Sequence, residues 1–357
     1  MIPGDIGTQL AAIVRAAAAV GELPPQAARM TAAGTWRPAP AQSGGAPGTY
    51  ATSLPFALAG LTDRPPGAIA AALASQLSGA PGIAAADTTG GGYLTVTVTD
   101  AVLTGLAPRI VAAGPGCARS DALAGIFLPA PPQRDLAAAP GWRQAWRWQA
   151  DDVSTRLAQA AGATIKTLAK RDFPPTAAPP PGPAPVAIEI EYAGADAVRY
   201  ALTRTAADRA DKMGRQIPVS HGSENPFAAV SLAHADAASV LRWAADLRIE
   251  RGEPGAPAPG LLGHPRERQL LDVLSWLPER VAGAARRRRP QELTAYTEHV
   301  AASWLDCRES CPALPFGGRA APTDAAVIAA RLWLADAART VLAAGLALIG
   351  VAAPERL

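Results

Sequence analysis

Gly194–Lys212 reads GADAVRYALTRTAADRADK, with apolar residues returning every three to four positions. That spacing gives an amphipathic helix one face for a core and one for water. Four longer stretches repeat the pattern through short loops: 225–249 (NPFAAVSLAHADAASVLRWAADLRI), 264–289 (HPRERQLLDVLSWLPERVAGAARRRR), 290–311 (PQELTAYTEHVAASWLDCRESC) and 322–350 (PTDAAVIAARLWLADAARTVLAAGLALIG). In the last, Ile328, Leu332, Ala335, Ala338 and Leu342 trace one stripe. Pro226, Pro265 and Pro290 each stand at a first turn, where a fixed φ and a missing N–H cost nothing. Residues 191–357 are therefore expected to form an all-α bundle.

Upstream the pattern is mixed. IGTQLAAIVRAAAAVGEL (6–23) has helical spacing at Leu10, Ile13 and Val14, with Gly21 as its stop, and PGAIAAALASQLSG (66–79) is a second helix. In GGGYLTVTVTDAVLTGLAPRIVAAG (90–114), Leu94, Val96 and Val98 alternate with Thr95, Thr97 and Thr99, the period of a half-buried strand, before helical spacing resumes. Residues 1–113 read as an α+β domain. Between the two regions, 114–190 is irregular apart from the helix-like run GWRQAWRWQADDVSTRLAQAAG (141–162), and DFPPTAAPPPGPAP (172–185) reads as an extended, Pro-rich linker. No alternating βα pattern is legible there.

Composition sets the limits. Hydrophobic residues are 49% and charged residues 18% of 357 positions, which fits a folded protein. The net charge is only +3, so any nucleic-acid contact must be local and not the work of a polycation. Cys117, Cys307 and Cys311 make no disulfide framework, and Cys307, Cys311 and His299 are too few for a metal site. No basic leader opens the sequence, and VLAAGLALIGVAA (341–353) is too short to span a bilayer, so a cytoplasmic, membrane-free protein is expected.

The helical region resembles the DALR anticodon-binding domain of arginyl-tRNA synthetases. Asp196, Ala197, Val198 and Arg199 stand where that family has its naming element. Glu224, Asn225 and Pro226 with Ala233, His234 and Ala235 are similar to its Asn-Pro helix and Ala-His-Ala element. His264, Pro265 and Glu267, then Pro278, follow the family's His-Pro-x-Glu start, and Cys311–Leu314 and the last twenty residues complete the order. YATSLPFALAG (50–60) with 90–103 is similar to the same family's N-terminal domain, which contacts the tRNA elbow.

In that family a nucleotide-binding catalytic domain lies between these parts, with a His-x-Gly-His motif and a Lys-Met-Ser-Lys-type motif. Here only 114–190 intervenes. Asp152–Ile165 is similar to the helix after the first motif, which puts Gly141, Trp142, Arg143 and Gln144 in the motif's place without either histidine. Thr167–Arg171, TLAKR, is at most an echo of the second motif. Adenylate formation needs donors on the phosphates in the transition state; both histidines are missing, and only Lys170 and Arg171 of the second motif's residue types stand in the echo. ATP binding is not expected, nor any other cofactor.

The resemblance implies tRNA, arginine tRNA first, as partner. Arg286–Arg289, four adjacent guanidiniums before Pro290, are the leading candidate for its phosphates; a solvated helix end favoured by the macrodipole is the plainer alternative. Arg242 and Arg308 are further candidates. Tyr93 would face the tRNA elbow or else pack in its strand. Asp196, Arg199, Asn225, Pro226, His234 and His264 are expected to be structural. Departures from the family pattern, among them Ala229–Leu232, Asp236, Cys307 and Arg308, put arginine-tRNA specificity in question. The tryptophans Trp142, Trp146 and Trp148 could pack against a domain or stack on bases. The expected function is a non-catalytic, monomeric tRNA-binding relative of arginyl-tRNA synthetase, with another protein supplying any catalysis. Its rivals are retained arginine–tRNA ligase activity and a protein scaffold without RNA.

Overall fold

The computed structural model describes residues 2–30, 32, 35–39, 46–166, 184–212, 225–252, 260–315 and 324–356. TLAKR, the prolines at 174–183 and Glu224 lie outside the described residues. The chain divides into two compact units: Met1–Ala112 with Glu250–Glu279 and Asp306–Ala337, and Ala113–Ile249 with Arg280–Leu305 and Ala338–Leu357.

The first unit opens with α1 (Ile2–Ala19), whose Ile2, Ile6, Leu10 and Val14 are buried at four-residue steps. A four-stranded antiparallel sheet follows, in the order β1 (Trp36–Pro38), β2 (Thr49–Thr52), β4 (Tyr93–Val98), β3 (Ile83–Thr89). Helices α2 (Leu54–Ala59) and α3 (Pro66–Leu77) lie between β2 and β3; α4 (Asp100–Thr104) and α5 (Leu106–Ala113) follow β4. Leu94, Val96 and Val98 are buried as the alternation predicts. Thr95 is buried as well, because β4 is an inner strand, and its hydroxyl lies 2.7 Å from that of Thr89. Gly92 closes the β3–β4 turn at φ +147°, where an added Cβ would stand 2.6 Å from Pro66; only glycine fits.

This α+β part shares its unit with helix α10 (Pro265–Ser275). Gly48 N donates to Asp272 at 3.0 Å, Tyr50 OH donates to Ser275 Oγ at 3.1 Å, and the rings of Tyr50 and Trp276 sit 5.4 Å apart. Asp100 pairs with Arg268. Residues 250–279, with α10, and 306–337 thus belong to the same compact unit as the α+β part.

The second unit holds β5 (Phe127–Pro129), α6 (Trp142–Ala160), β6 (Thr164–Lys166), α7 (Pro185–Ala193), α8 (Ala195–Arg204) and α9 (Pro226–Asp246). It also takes most of α11 (Leu277–Arg287) and α12 (Gln291–Ser310) and the C-terminal half of α13 (Ala325–Ile349). β5 and β6 pair in parallel around α6, so 127–166 is a βαβ unit. This pairing was not legible beforehand, because three-residue strands are too short to show a period. α7 likewise converts residues 185–190 from expected linker to helix, with Pro185 in its first turn. The apolar C-terminal stretch also proves longer than expected. α13 has 25 residues, long and apolar enough to cross a membrane, but 72% of its apolar window is buried within the protein, the mark of a core helix.

Candidate nucleic-acid interface

α11 ends in a complete Schellman motif. Arg289 N donates to Ala284 O at 3.0 Å and Arg288 N to Ala285 O at 3.2 Å. The residue at the reversal is Arg288, at φ +50°, where glycine is the low-cost choice. α13 ends in the same motif with Gly350 at φ +85°. A side chain held in a left-handed conformation is strain kept in place by its surroundings, and here it projects a guanidinium.

Arg286, Arg287, Arg288 and Arg289 are all exposed. Arg287 forks Glu292, with Nε 3.0 Å from Oε1 and Nη2 2.5 Å from Oε2, and Arg289 lies 4.0 Å from the same carboxylate. Hydrogen bonding to Glu292 is the main cause holding the Arg287 guanidinium above its ordinary range. Among the described residues Arg286 and Arg288 have no carboxylate within salt-bridge distance. Among the described residues Glu292 is the one carboxylate paired with these four arginines, which leaves a cationic corner between α11 and α12.

The other sequence candidates scatter. Arg242 donates to the carbonyl of Glu355 at 2.8 Å, at a distance from the corner in sequence and on another helix. Arg308 is 7% exposed, and its burial lowers its pKa to about 10; it is an interior side chain and does not join the surface set. Tyr93 is half-buried in the first unit, with the Arg37 guanidinium 4.4 Å above its ring and Phe56 4.8 Å away. Sequence reading missed Arg37 and Phe56, whose strand and helix are too short to advertise themselves. Phe56 is 39% exposed, so this trio presents an aromatic–cation surface of the type that stacks on unpaired bases.

The motif residues do structural work. Asp196 accepts from Ala352 N at 3.0 Å and from Arg199 at 3.2 Å, tying the start of α8 to the C-terminal tail. His234 is buried with Nδ1 2.8 Å from Pro354 O, and burial lowers its pKa. Asn225 caps α9 by accepting from Phe227 N, with Pro226 next. His264 accepts from Arg266 N while Glu267 accepts from His264 N at 2.9 Å, a capping box whose buried carboxylate also takes Arg331 Nε at 2.6 Å. Asp236 accepts from the Trp304 indole at 3.0 Å.

The tryptophans pack. Trp142, Trp146 and Trp148 lie against a buried cluster of Ala139, Ala145, Val186, Ala197, Val198 and Leu202. Each is half-buried, with part of its ring resting on that cluster, and the Arg134 guanidinium lies 5.5 Å over the Trp148 ring. Cys307 and Cys311 are buried beside Glu267, and their mutual hydrogen bond, with burial, pushes the Cys307 thiol far up. Among the described residues no cluster of three metal-ligating side chains occurs.

Residues 230–357 match the DALR anticodon binding domain. The C-terminal half is similar to arginine–tRNA ligase of Clavibacter sepedonicus, 40% identical over 168 residues, which are 47% of this chain and 29% of that protein. It is similar to the enzyme of Pseudarthrobacter chlorophenolicus at 38% over 170 residues, 47% of this chain and 30% of the other. Among solved structures, Thermus thermophilus arginyl-tRNA synthetase aligns with 65% of this chain and 34% of its own, at 26% identity and a TM-score of 0.35. The C-terminal helical region thus matches the DALR anticodon binding domain model and is similar to part of arginine–tRNA ligases. The chain matches less than a third of the length of the curated relatives.

Proposed function

We propose that this protein binds the anticodon stem-loop of a tRNA through the α11–α12 corner without aminoacylating it. The observation that carries this reading is the cationic corner itself: Arg286 and Arg288 exposed and without a carboxylate partner among the described residues, inside the matched anticodon-binding domain. The Phe56–Tyr93–Arg37 surface would hold the tRNA elbow. Two weak sites on one chain raise each other's effective concentration. In this reading the protein works as a monomer in the cytoplasm, uses neither ATP nor another cofactor, and leaves catalysis to a separate protein. Support for the non-catalytic part comes from Gly141–Gln144, where Trp142 packs on an apolar cluster in place of a phosphate-binding histidine.

Titration of the whole chain with arginine tRNA and with a second tRNA, at low and moderate salt, tests the proposal. Saturable binding that weakens with salt and with Arg286→Gln/Arg288→Gln is the expected result. Arginine-dependent ATP–pyrophosphate exchange would instead establish ligase activity, and no RNA binding at low salt would leave a protein scaffold.

A further inference from the structure

A polar cavity of about 300 Å3 opens in the second unit, lined by Arg134, Trp148, Gln149, Asp152, Arg156 and Arg199 among others and by none of Arg286–Arg289. Three half-buried guanidiniums from three separate segments converge there: Arg134 from the loop before α6, Arg156 from α6 and Arg199 from α8. Arg134 pairs with Asp151 at 3.2 Å and Arg199 with Asp196 at 3.2 Å, two acids outside the lining. Arg156 donates to the carbonyl of Leu348 at 3.0 Å and has no carboxylate within salt-bridge distance among the described residues. Gly350 makes room for it, since a Cβ there would stand 2.6 Å from Arg156 Nη1.

A guanidinium carries five N–H donors, so each of the three keeps donors that these bonds do not use. The groups facing Asp152 are Arg134, Asp151, Arg156 and Arg199, with Asp135 also in the lining. Asp135 accepts from Ala137 N at 3.0 Å and is exposed, so water and salt screen its charge. Burial pushes Asp152 above the ordinary carboxylate range while Arg156, Arg134 and Arg199 favour its charged form, so it is the carboxylate an incoming anion competes with. Half-buried guanidiniums with unused donors are costly to desolvate, and an anionic ligand in the cavity would satisfy those donors.

We propose that this cavity binds a small dianionic oxyanion of the phosphate type, held by Arg156 and Arg199 with Arg134. The volume exceeds a bare phosphate, and the Trp148 indole on the same wall suits the organic body of a phosphate monoester. Free phosphate and a monoester share the recognition chemistry.

The test uses the whole chain in low-salt buffer, with sulfate, inorganic phosphate and adenosine 5′-monophosphate at millimolar concentration, against chloride at equal ionic strength. Calorimetry and thermal unfolding are the readouts, because a ligand that binds the native state raises its melting temperature. Saturable binding of sulfate and phosphate but not chloride is expected, weakened roughly tenfold or more by Arg156→Gln or Arg199→Gln and unchanged by Arg288→Gln. Tighter binding of the nucleotide assigns a monoester; equal binding assigns free phosphate. Asp152→Asn removes a competing negative charge and is expected to tighten sulfate binding at pH 7.5. It decides the matter if the arginine variants fail to fold. Equal shifts with chloride, undiminished affinity in Arg156→Gln, or no gain in Asp152→Asn would overturn the proposal.

Discussion

The indole nitrogen of Trp146 donates to the backbone carbonyl of Thr205 at 2.9 Å. One residue of α6 thereby satisfies the carbonyl just past the end of α8, and Gln149, one turn on, donates to Thr203 at 3.0 Å and to Ile349 O at 2.9 Å. α6 is fastened to the DALR element and to the end of α13 by polar bonds as well as by apolar packing. A helix so committed is a structural part of the second unit.

Trp146→Ala should therefore destabilise the fold by about 2 kcal/mol, less than a fully buried tryptophan because the ring is half-exposed. Trp146→Phe, which keeps the packing and loses the hydrogen bond, should cost about 1 kcal/mol. Urea unfolding followed by circular dichroism measures both. RNA affinity should stay at the wild-type value; a stable variant with weakened RNA binding would make the ring a base-stacking platform instead.

Arg288 offers a sharper experiment, since its strain and its proposed role oppose each other. Arg288→Gly should raise stability by about 0.5–1 kcal/mol through relief of the left-handed backbone. The same substitution should weaken tRNA binding and reduce the salt dependence by about one counterion. Arg287→Gln should matter less, because Glu292 already engages that guanidinium. Equal losses for all four arginines would mean a diffuse charge effect.

Glu267 joins a helix cap to a buried ion pair with Arg331, so removing its charge strands that guanidinium. Glu267→Gln should cost about 3 kcal/mol, read from chemical denaturation. Arg331→Met with Glu267→Gln should recover part of that loss. An undiminished cost in the double variant would rule out the ion pair as the cause.

His234 supplies the pH dependence. Its folded pKa lies below its ordinary value of 6.5, with burial as the main cause, so the unfolded chain binds the proton first as pH falls. Its contribution to stability is complete above about pH 6.5 and declines as acid carries the pH from there toward the folded value. His234→Asn should flatten that decline in melts recorded between pH 7.5 and 5. An unchanged slope would assign the proton uptake elsewhere.

Much of the helical region was legible because each of its helices carries its own evidence. The stripe Ile328, Leu332, Ala335, Ala338, Leu342 and the prolines at 226 and 265 are local signals, and so is the Leu94–Val96–Val98 alternation. The β5–β6 pair was illegible for the converse reason: Phe127–Pro129 and Thr164–Lys166 acquire meaning only when placed side by side. Arg308 misled because an arginine near a helix end reads as surface until its neighbours close over it.

By itself the sequence determined where the helices of the C-terminal region run and the order of motifs that marks an anticodon-binding domain. Both are written within a few turns of chain, where apolar spacing and capping chemistry suffice. Tertiary structure alone decided which polar groups are consumed and which remain. Asp196 and His234 are spent on a tail 156 and 120 residues away, while Arg156 reaches the carbonyl of Leu348 and has no carboxylate within salt-bridge distance among the described residues. Such pairings join groups that are neighbours only after the chain has closed long loops and packed, so no local pattern encodes them.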